Sequence, residues 1–198
     1  MKAVSDIGAV ILAAGKGRRM GRPKLRLEIG GQSFLAHLAE VLRAVGVRKI
    51  VCVVGQKHTA WARRNFPGVV VLTNRNPDAG MLSSVKIGVE RLKDLKGVLV
   101  VPVDHPCVAR GTYRRLLCAF AEDADAVVKP TYLGQSGHPV LIPRKLFDRI
   151  RRADADTMLN ELIRKSKLEQ VRVPCNDPGI LRNVNTPADM RSASSPLP

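Results

Sequence analysis

A glycine-rich and strongly basic segment is the part of this chain best suited to chemistry on phosphates. Residues 16–26 contain six basic side chains and no acidic one, and this stretch follows Gly15 and includes Gly17 and Gly21. Glycines let the backbone approach an anion closely, and successive N–H groups in such turns surround phosphate oxygens. Arginine adds forked donors and lysine a point charge. The segment therefore predicts a triphosphate-binding loop, with a solvated basic turn as the alternative.

Two familiar glycine motifs do not describe this loop. The dinucleotide-binding fingerprint needs its third glycine three residues after the second, but Gly17 is followed by Gly21. The Walker A loop ends in Gly-Lys-Ser/Thr, whereas this loop ends in Gly21-Arg22-Pro23-Lys24. A phosphate-binding loop of another kind is therefore expected.

A carboxylate follows a later apolar run. Asp104 comes directly after residues 98–103, and a carboxylate at the carboxyl end of a buried strand faces the ligand crevice of an α/β sheet. There it can hold Mg²⁺ against phosphate oxygens, although a turn or helix-cap role is the alternative. His105 and Cys107 flank it, but they belong to no Cys/His cluster with zinc spacing. Magnesium, which prefers oxygen ligands, is the predicted metal.

Two further segments carry polar groups next to predicted elements. Gly80, Ser83 and Ser84 precede a predicted helix, where free N–H groups and hydroxyls suit a base edge or an anion. Capping alone also explains the serines. His138 stands before Pro139 at the start of another apolar run, a position that a purely structural histidine would equally fill.

The glycine-rich loop resembles the signature loop of the nucleotidyltransferases that act on sugar phosphates, methylerythritol phosphate and molybdopterin. The resemblance extends over residues 7–190 in separated segments that stand in the expected order. The matching residues are Leu12, Ala13, Ala14, Gly15, Gly17, Arg19, Met20, Gly21, Pro23 and Lys24, then Gly80, Met81, Ser83, Ser84 and Gly88, then Asp104 and Pro106, then Gly137, His138 and Pro139, and finally Asn183, Asn185, Thr186 and Pro187.

This resemblance implies an α/β fold of three layers, with a Rossmann-like, mostly parallel sheet of the nucleotide-diphospho-sugar transferase type. It implies that Lys24, Arg19 and Asp104 are catalytic and that Asp104 and Asn185 hold the metal. His105 and His138 would lie on the acceptor side. The implied nucleotide-binding residues are Leu12, Ala13, Ala14, Gly15, Gly17, Arg18, Arg19, Lys24, Asn74, Gly80 and Ser84.

Two details of the resemblance point to different branches of the family. The closing motif often reads Asp-x-Asp-Thr-Pro, but both aspartates are asparagine here, at Asn183 and Asn185. An amide oxygen can still ligate Mg²⁺, yet without charge it should bind the metal more weakly. Some relatives, including the guanylyltransferase branch, are similar in this respect. The Leu-Ala-Ala-Gly sequence of residues 12–15 is instead similar to the molybdopterin cytidylyltransferase branch, whereas guanylyltransferases usually have Leu-Ala-Gly-Gly.

The implied reaction is attack of an acceptor phosphate on the α-phosphorus of CTP, which transfers CMP to molybdopterin and releases pyrophosphate. Its partners would be a nucleoside triphosphate, a phosphorylated small-molecule acceptor, and a recipient molybdoenzyme or its chaperone. Two enzymatic alternatives stay open, a guanylyltransferase that uses GTP and a sugar-phosphate nucleotidyltransferase. A non-enzymatic alternative is a basic nucleic-acid-binding domain on the same fold.

These residues must be positioned by alternating strands and helices. Short β-branched apolar runs predict strands buried on both faces, and 3.6-residue apolar periodicity predicts the helices between them. Such alternation predicts a mostly parallel sheet in three layers, whose ligands lie beyond the carboxyl ends of the strands. The predicted strands are residues 9–12, 50–54, 69–72, 98–103, 126–128 and 140–142, and the predicted helices are residues 33–45, 82–92, 113–120 and 158–163, the last capped by Asp156 or Thr157.

Length and charge limit the remaining possibilities. At 198 residues the chain fits one domain, predicted as residues 1–191 with a flexible tail at 192–198. The net charge of +16 attracts polyanions, but aromatics at 4% leave few stacking platforms for nucleic acid, which is disfavoured as a partner. No apolar stretch is long enough to span a membrane and no signal peptide is recognisable, so a cytoplasmic protein with reduced cysteines is expected.

Overall fold

The computed structural model of the chain describes residues 6–15, 23–154 and 156–193, without the side chains of residues 187, 192 and 193. Ten strands lie in these ranges: β1 (Ile7–Ala13), β2 (Glu28–Ile29), β3 (Gln32–Ser33), β4 (Lys49–Gly55), β5 (Val70–Asn74), β6 (Gly97–Pro102), β7 (Val127–Tyr132), β8 (Gln135–Ser136), β9 (Val140–Pro143) and β10 (Gln170–Pro174). The α-helices in the same ranges are α1 (Phe34–Ala44), α2 (Thr59–Asn65), α3 (Met81–Arg91), α4 (Arg110–Glu122), α5 (Phe147–Arg152), α6 (Leu159–Ser166) and α7 (Pro187–Ala193).

The central sheet follows the order β10-β7-β9-β6-β1-β4-β5, and β8 pairs with β7 beside that path. β9 is antiparallel to both of its neighbours, whereas the other pairs along the path are parallel. The carboxyl ends of β1, β4, β5 and β6 therefore meet at one edge of the sheet. Because β9 runs the opposite way, its amino end, just after His138, lies at that same edge. The predicted mostly parallel sheet is confirmed.

The central strand β1 is buried on both faces because alternate side chains pack against different helices. Ile7, Ala9 and Ile11 belong to a core shared with α1 and α4. Val10 and Leu12 belong to a second core shared with α3, α5 and α6. Helices thus cover both faces of the sheet, which gives the predicted three layers.

The six predicted strands are confirmed as β1, β4, β5, β6, β7 and β9. β10 escapes the sequence analysis because Val173 is the only buried residue among its five, so the strand has no continuous apolar run. β2, β3 and β8 are each two residues long, too short for a periodic pattern to appear.

The four predicted helices are confirmed as α1, α3, α4 and α6, but the start of α6 differs from the prediction. Ser33 caps α1 as expected, since its Oγ accepts a hydrogen bond from the N–H of Ala36 at 3.2 Å. The prediction that Asp156 or Thr157 caps α6 is wrong, because Met158 occupies the N-cap and no side chain caps the helix. The N–H of Thr157 instead donates a hydrogen bond to the carbonyl of Asp154 at 3.1 Å, which closes a turn before the helix.

Two general features concern the whole described chain. No helix in residues 6–15, 23–154 and 156–193 combines the length and apolar character needed to cross a membrane.

The four cysteines are free thiols, of which Cys52 and Cys175 are buried. Burial raises the pKa of Cys52, so this thiol stays protonated and serves as a packing residue.

Gly88 allows α3 to lie close to β1. A Cβ added at Gly88 would stand 2.4 and 2.5 Å from the two methyl carbons of Val10. Both residues are buried, so neither side chain could turn away into solvent. A glycine at this position is therefore needed for the close contact between the helix and the central strand.

Replacing Gly88 by alanine is expected to lower the free energy of unfolding by about 1–3 kcal/mol, the usual cost of overpacking a core. Gly111→Ala is the matched control, because Gly111 is also helical and an added Cβ there would meet nothing within 4 Å. That change should stabilise by about 0.4–1 kcal/mol, since it restricts the unfolded chain. Urea unfolding followed by circular dichroism measures both. A Gly88→Ala variant as stable as the unmodified protein would show that α3 can move away from β1 without cost.

Candidate active site

The predicted triphosphate loop begins where β1 ends. The side chains of Leu12 and Ala13 are buried in the strand, and the carbonyl of Leu12 accepts a hydrogen bond from the N–H of Val103 at 3.0 Å. Ala14 and Gly15 follow directly, at the carboxyl edge of the sheet. Three predicted site residues fall outside the described part of the chain: Gly17, Arg18 and Arg19.

Lys24 lies at the centre of the site. It begins the short 3-10 helix Lys24–Arg26, and its ammonium donates hydrogen bonds to Oδ2 of Asp104 at 2.7 Å and to Oδ1 of Asn185. These partners are 80 and 161 positions away in sequence. The side chains of Lys24 and Asp104 are 16% and 23% exposed, so the ion pair is shielded but can be reached from solvent. The structure thus brings a predicted catalytic lysine together with both predicted metal ligands.

Backbone hydrogen bonds fix the two oxygen donors. The carbonyl of Asp104 accepts a hydrogen bond from the N–H of Val184 at 2.8 Å, which ties the C-terminal segment to the end of β6. One carboxylate oxygen of Asp189 accepts the N–H groups of Asn185 and Thr186, both at 2.8 Å. The N–H of Asp189 in turn donates to Oγ1 of Thr186 at 3.2 Å. This reciprocal arrangement is that of a capping box at the start of α7, and it holds Asn185 in place.

A cleft of about 660 Å³ opens beside Ala14 and Gly15. Its other walls come from the loops after β4 and β5, as expected for a ligand crevice at the carboxyl edge of a parallel sheet. Its volume lies within the range of pockets that bind small molecules. The sequence analysis missed the wall at residues 55–58, although polar residues directly after an apolar run were the signal used elsewhere. The lining residues of these two walls are Gly55, Gln56, Lys57 and His58, and Asn74, Arg75, Pro77 and Asp78.

Asn74 anchors the wall that follows β5. Its Nδ2 donates to the hydroxyls of Ser83 at 2.8 Å and Ser84 at 2.9 Å, and its Oδ1 accepts the N–H of Asn76 at 2.9 Å. Asn74 and Ser84 are both buried, and the side-chain hydrogen bonds of Asn74 are made within the protein. Gly80, with φ of +97°, precedes α3 and lines a separate, smaller pocket. Nucleotide binding by these three residues stays a prediction.

His105 and His138 form a tilted ring pair beside Asp104, with ring centroids 4.9 Å apart and planes at 60°. Burial lowers the pKa of His105. Burial and the neighbouring ring lower the pKa of His138 to about 4. Both imidazoles are therefore neutral near pH 7. Within the described ranges, Nδ1 of each ring is buried without a hydrogen-bond partner. The structure brings the two predicted acceptor-side histidines together, while their role stays a prediction.

A buried carboxylate that the sequence analysis missed supports this side of the site. Asp177 accepts hydrogen bonds from the N–H of Ala109 at 2.9 Å, the hydroxyl of Thr112 at 2.6 Å and an N–H of its own turn at 2.9 Å. It thereby caps α4 from a distant part of the chain. The turn that it holds also contacts His138, whose N–H donates to the carbonyl of Ile180 at 2.9 Å. The local sequence of Asp177, before Pro178 and Gly179, indicates only a turn cap, whereas its two partners at α4 lie 68 and 65 positions away.

The donor set at Lys24 suits a hard divalent cation. Asp104 offers a carboxylate oxygen and Asn185 an amide oxygen, and both accept hydrogen bonds from one ammonium group, so this point of the site already accommodates a cation. Oxygen is the ligand type that Mg²⁺ and Mn²⁺ prefer. No group of three or more His, Cys, Asp and Glu side chains suited to a metal occurs in the described part of the chain. Phosphate oxygens and water would complete the coordination.

Comparison with known proteins identifies the family. Residues 9–171 match the model of the MobA-like NTP transferase domain. A molybdenum cofactor guanylyltransferase from Rhizobium meliloti (strain 1021) is 30% identical, over 96% of this chain and 91% of its own length. A nicotine blue oxidoreductase from Paenarthrobacter nicotinovorans is 28% identical, over 93% of this chain and 94% of its own length.

Solved structures of other proteins share the fold. Rv0371c from Mycobacterium tuberculosis H37Rv superposes with a TM-score of 0.80 at 24% identity, covering 96% of this chain and 97% of its own. A complex of the same protein with manganese superposes with a TM-score of 0.75 at 23% identity, covering 94% and 97%. At these identities the likeness concerns the fold.

The family match identifies a nucleotidyltransferase, and its α/β fold is that of the nucleotide-diphospho-sugar transferases. The chain belongs to the MobA-like NTP transferase family. The family and the fold class predicted from the signature loop are therefore confirmed. Enzymes of this family typically use a divalent metal, in keeping with the oxygen donors around Lys24.

Lys24 should compete with a divalent cation for the oxygens of Asp104 and Asn185. Lys24→Met keeps the length of the side chain and removes its charge, so we expect Mn²⁺ to bind the nucleotide-free protein about fivefold more tightly, because a partly exposed ion pair is worth on the order of 1 kcal/mol. Electron paramagnetic resonance titration measures the affinity. Lys57→Met is the matched control, because Lys57 lines the cleft wall after β4. Equal gains in both variants would show that general charge, and not the contact with Asp104, controls metal affinity.

Proposed function

We propose that this chain transfers CMP from CTP to molybdopterin in a Mg²⁺-dependent reaction that releases pyrophosphate. The observation that carries the proposal is the convergence of Lys24, Asp104 and Asn185 beside a cleft large enough for a nucleotide. A molybdopterin-type acceptor is supported by the Rhizobium meliloti relative, which is named for the molybdenum cofactor. The product would then pass, in the cytoplasm, to a molybdoenzyme or to its chaperone.

The proposed chemistry needs positioning and charge neutralisation more than a protein nucleophile. An oxygen of the acceptor phosphate attacks the α-phosphorus, one P–O bond forms, and the bond to the departing pyrophosphate breaks. Lys24 would turn from Asp104 to the phosphates and, with Arg19, neutralise their growing negative charge. Asp104 and Asn185 would then hold Mg²⁺, which supplies further positive charge against the phosphate oxygens.

CTP is the proposed nucleotide because of the methyl group of Ala14. Ala14 and Gly55 both line the cleft, and they are neighbours, because a Cβ added at Gly55 would stand 3.5 Å from the carbonyl oxygen of Ala14. The methyl group takes space that a glycine would leave for a purine. GTP is the second candidate, and it is favoured by the name of the Rhizobium meliloti relative.

Lys24→Ala and Arg19→Ala are each expected to slow pyrophosphate release by about a hundred- to a thousand-fold, since loss of one charge-stabilising donor in a catalytic site typically costs roughly 3–4 kcal/mol. Release is measured with CTP, GTP, ATP and UTP and with molybdopterin as acceptor. Lys96→Ala is the control, because Lys96 is an exposed lysine paired with Asp6, before β6. Turnover near that of the unmodified protein in both site variants would remove the basis of the assignment.

Ala14→Gly tests the choice of nucleotide. We expect the unmodified protein to prefer CTP over GTP by about ten- to two-hundred-fold in kcat/KM, the usual effect of a methyl-sized change in a pocket. Ala14→Gly should reduce that ratio without reversing it, since the loops after β4 and β5 also line the cleft. Both ratios are measured with one common acceptor. A preference of the unmodified protein for GTP would establish the second candidate instead.

A further inference from the structure

A second pocket, of about 250 Å³, opens between the N-terminus of α3, the start of β9 and the turn before α6. His138 and Val140 place it at β9, whereas the nucleotide cleft begins at the end of β1. β6, which ends just before Asp104, lies between these two strands in the sheet. The ring of His138 contacts that of His105, next to Asp104. The pocket is therefore a neighbour of the reacting centre at β9, and it adjoins the nucleotide cleft at residues 78–80, because Asp78 lines the cleft and Gly80 lines the pocket.

The walls of this pocket are apolar and suit a flat ring. Met81 and Met158 line it although they are 47% and 68% exposed, and the buried side chains of Leu82, Val140 and Leu159 form its deeper part. Large apolar side chains are exposed at some cost when nothing covers them, and a methionine thioether makes favourable contacts with aromatic rings. The two methionines would regain burial by covering the faces of a planar ligand.

The polar groups of the pocket select the kind of ring. Asp156 offers two carboxylate oxygens, Thr157 a hydroxyl and Asn160 an amide. A carboxylate repels a phosphate, so the phosphorylated end of a ligand would stay with Lys24 and the uncharged end would enter here. Two carboxylate oxygens match two adjacent N–H donors in a plane, the pattern that the amino-pyrimidinone edge of a pterin presents.

The pocket is already formed by contacts within the chain. Lys86 of α3 donates a hydrogen bond to the carbonyl of Ala153, at the start of the turn that carries Asp156. Arg151 of α5 pairs with Glu90 of α3 at 2.8 Å. These contacts hold the segment between α5 and α6 against α3. A ligand would then lose less free energy in ordering the site, which favours binding of even a small ring.

We propose that this pocket binds the bicyclic ring of a pterin-class acceptor, with Asp156 accepting hydrogen bonds from the amino-pyrimidinone edge and Met81 and Met158 covering the ring faces. The inference rests on the proposed function, because it names the part of the acceptor that this side of the site takes. It makes Asp156 and Met158 determinants of acceptor specificity, and neither residue belongs to the family motifs in the sequence.

Free pterin and lumazine test the pocket directly. Lumazine carries a carbonyl where pterin has its 2-amino group, so it lacks one donor for Asp156. Fluorescence titration with the full chain should show pterin bound about tenfold or more tightly than lumazine, the effect of one hydrogen bond to a charged group. Asp156→Asn should remove this preference, and Met158→Ala should weaken both ligands. Asp154→Asn is the matched control, because it makes the same charge change in the same exposed turn. Absence of pterin binding, equal binding of pterin and lumazine, or equal effects of Asp156→Asn and Asp154→Asn would overturn the proposal.

Transfer assays separate this inference from the proposed function. If molybdopterin supports pyrophosphate release with the same KM in the Asp156→Asn and Asp154→Asn variants, the pocket is refuted while the function stands. If pterin binds as expected but no nucleotide supports release with molybdopterin, the function is refuted while the pocket stands. A raised KM for molybdopterin with unchanged kcat in Asp156→Asn alone supports both.

Discussion

The ion pair between Lys24 and Asp104, extended to Asn185, is the interaction on which the site depends. A carboxylate at the edge of a buried strand needs a partner, since an unpaired charge in a shielded position is costly. Lys24 supplies that partner and joins three regions at one point: the exit of the glycine-rich loop, the end of β6 and the segment before α7. Each region reaches this point by its own local structure, which is a 3-10 helix for Lys24, a strand end for Asp104 and a capping box for Asn185. The site is therefore assembled by long-range contacts between rigid local structures.

The sequence predicted those features that depend on apolar pattern or on the signature loop. The buried strands were visible because residues such as Val10 and Ile11 face opposite cores and leave no polar alternation. Asp104 was visible because it follows such a strand, and Lys24 because it belongs to the glycine-rich basic loop that resembles the family signature. The contacts of Asp177 with α4 could not be predicted, since two of its three donors come from a distant part of the chain and meet it only after folding. The hydrogen bonds of Asn74 to Ser83 and Ser84 were hidden for the same reason, because these partners meet only in the folded chain. The apolar pattern of a sequence predicts which side chains become buried, but it does not predict which polar groups they bond to.

Charge is distributed unevenly around the ion pair. On the cleft side, burial and the positive charges of Arg26 and Lys57 lower the pKa of His58, and Arg26 also lies over the ring of Trp61, 4.4 Å from its centroid. On the other side, His105 and His138 are neutral near pH 7 because their pKa values are lowered. The positive side chains of the cleft therefore attract a polyanion. The surface beside the two neutral histidines exerts no such attraction and is open to uncharged groups. This asymmetry would orient two phosphorylated substrates with respect to each other before any base or ring is recognised.

In the proposed reaction, catalysis and base selection would reside in different residues. In that reaction, Lys24, Asp104 and Asn185 would meet groups that every nucleoside triphosphate shares, so they would not distinguish a cytosine from a guanine. Discrimination between bases would then come from the cleft walls, which are formed by Ala14 and by the loops after β4 and β5. The asparagines of the closing motif and the Leu-Ala-Ala-Gly sequence of residues 12–15 would then bear on different properties of the site. Asn185 bonds to Lys24 at the centre where we propose that a metal binds, whereas Ala14 lines the cleft where we propose that the base binds. A change of a few atoms in a cleft wall alters such a preference by about 1–3 kcal/mol, so a base preference can change without any change in the charged centre.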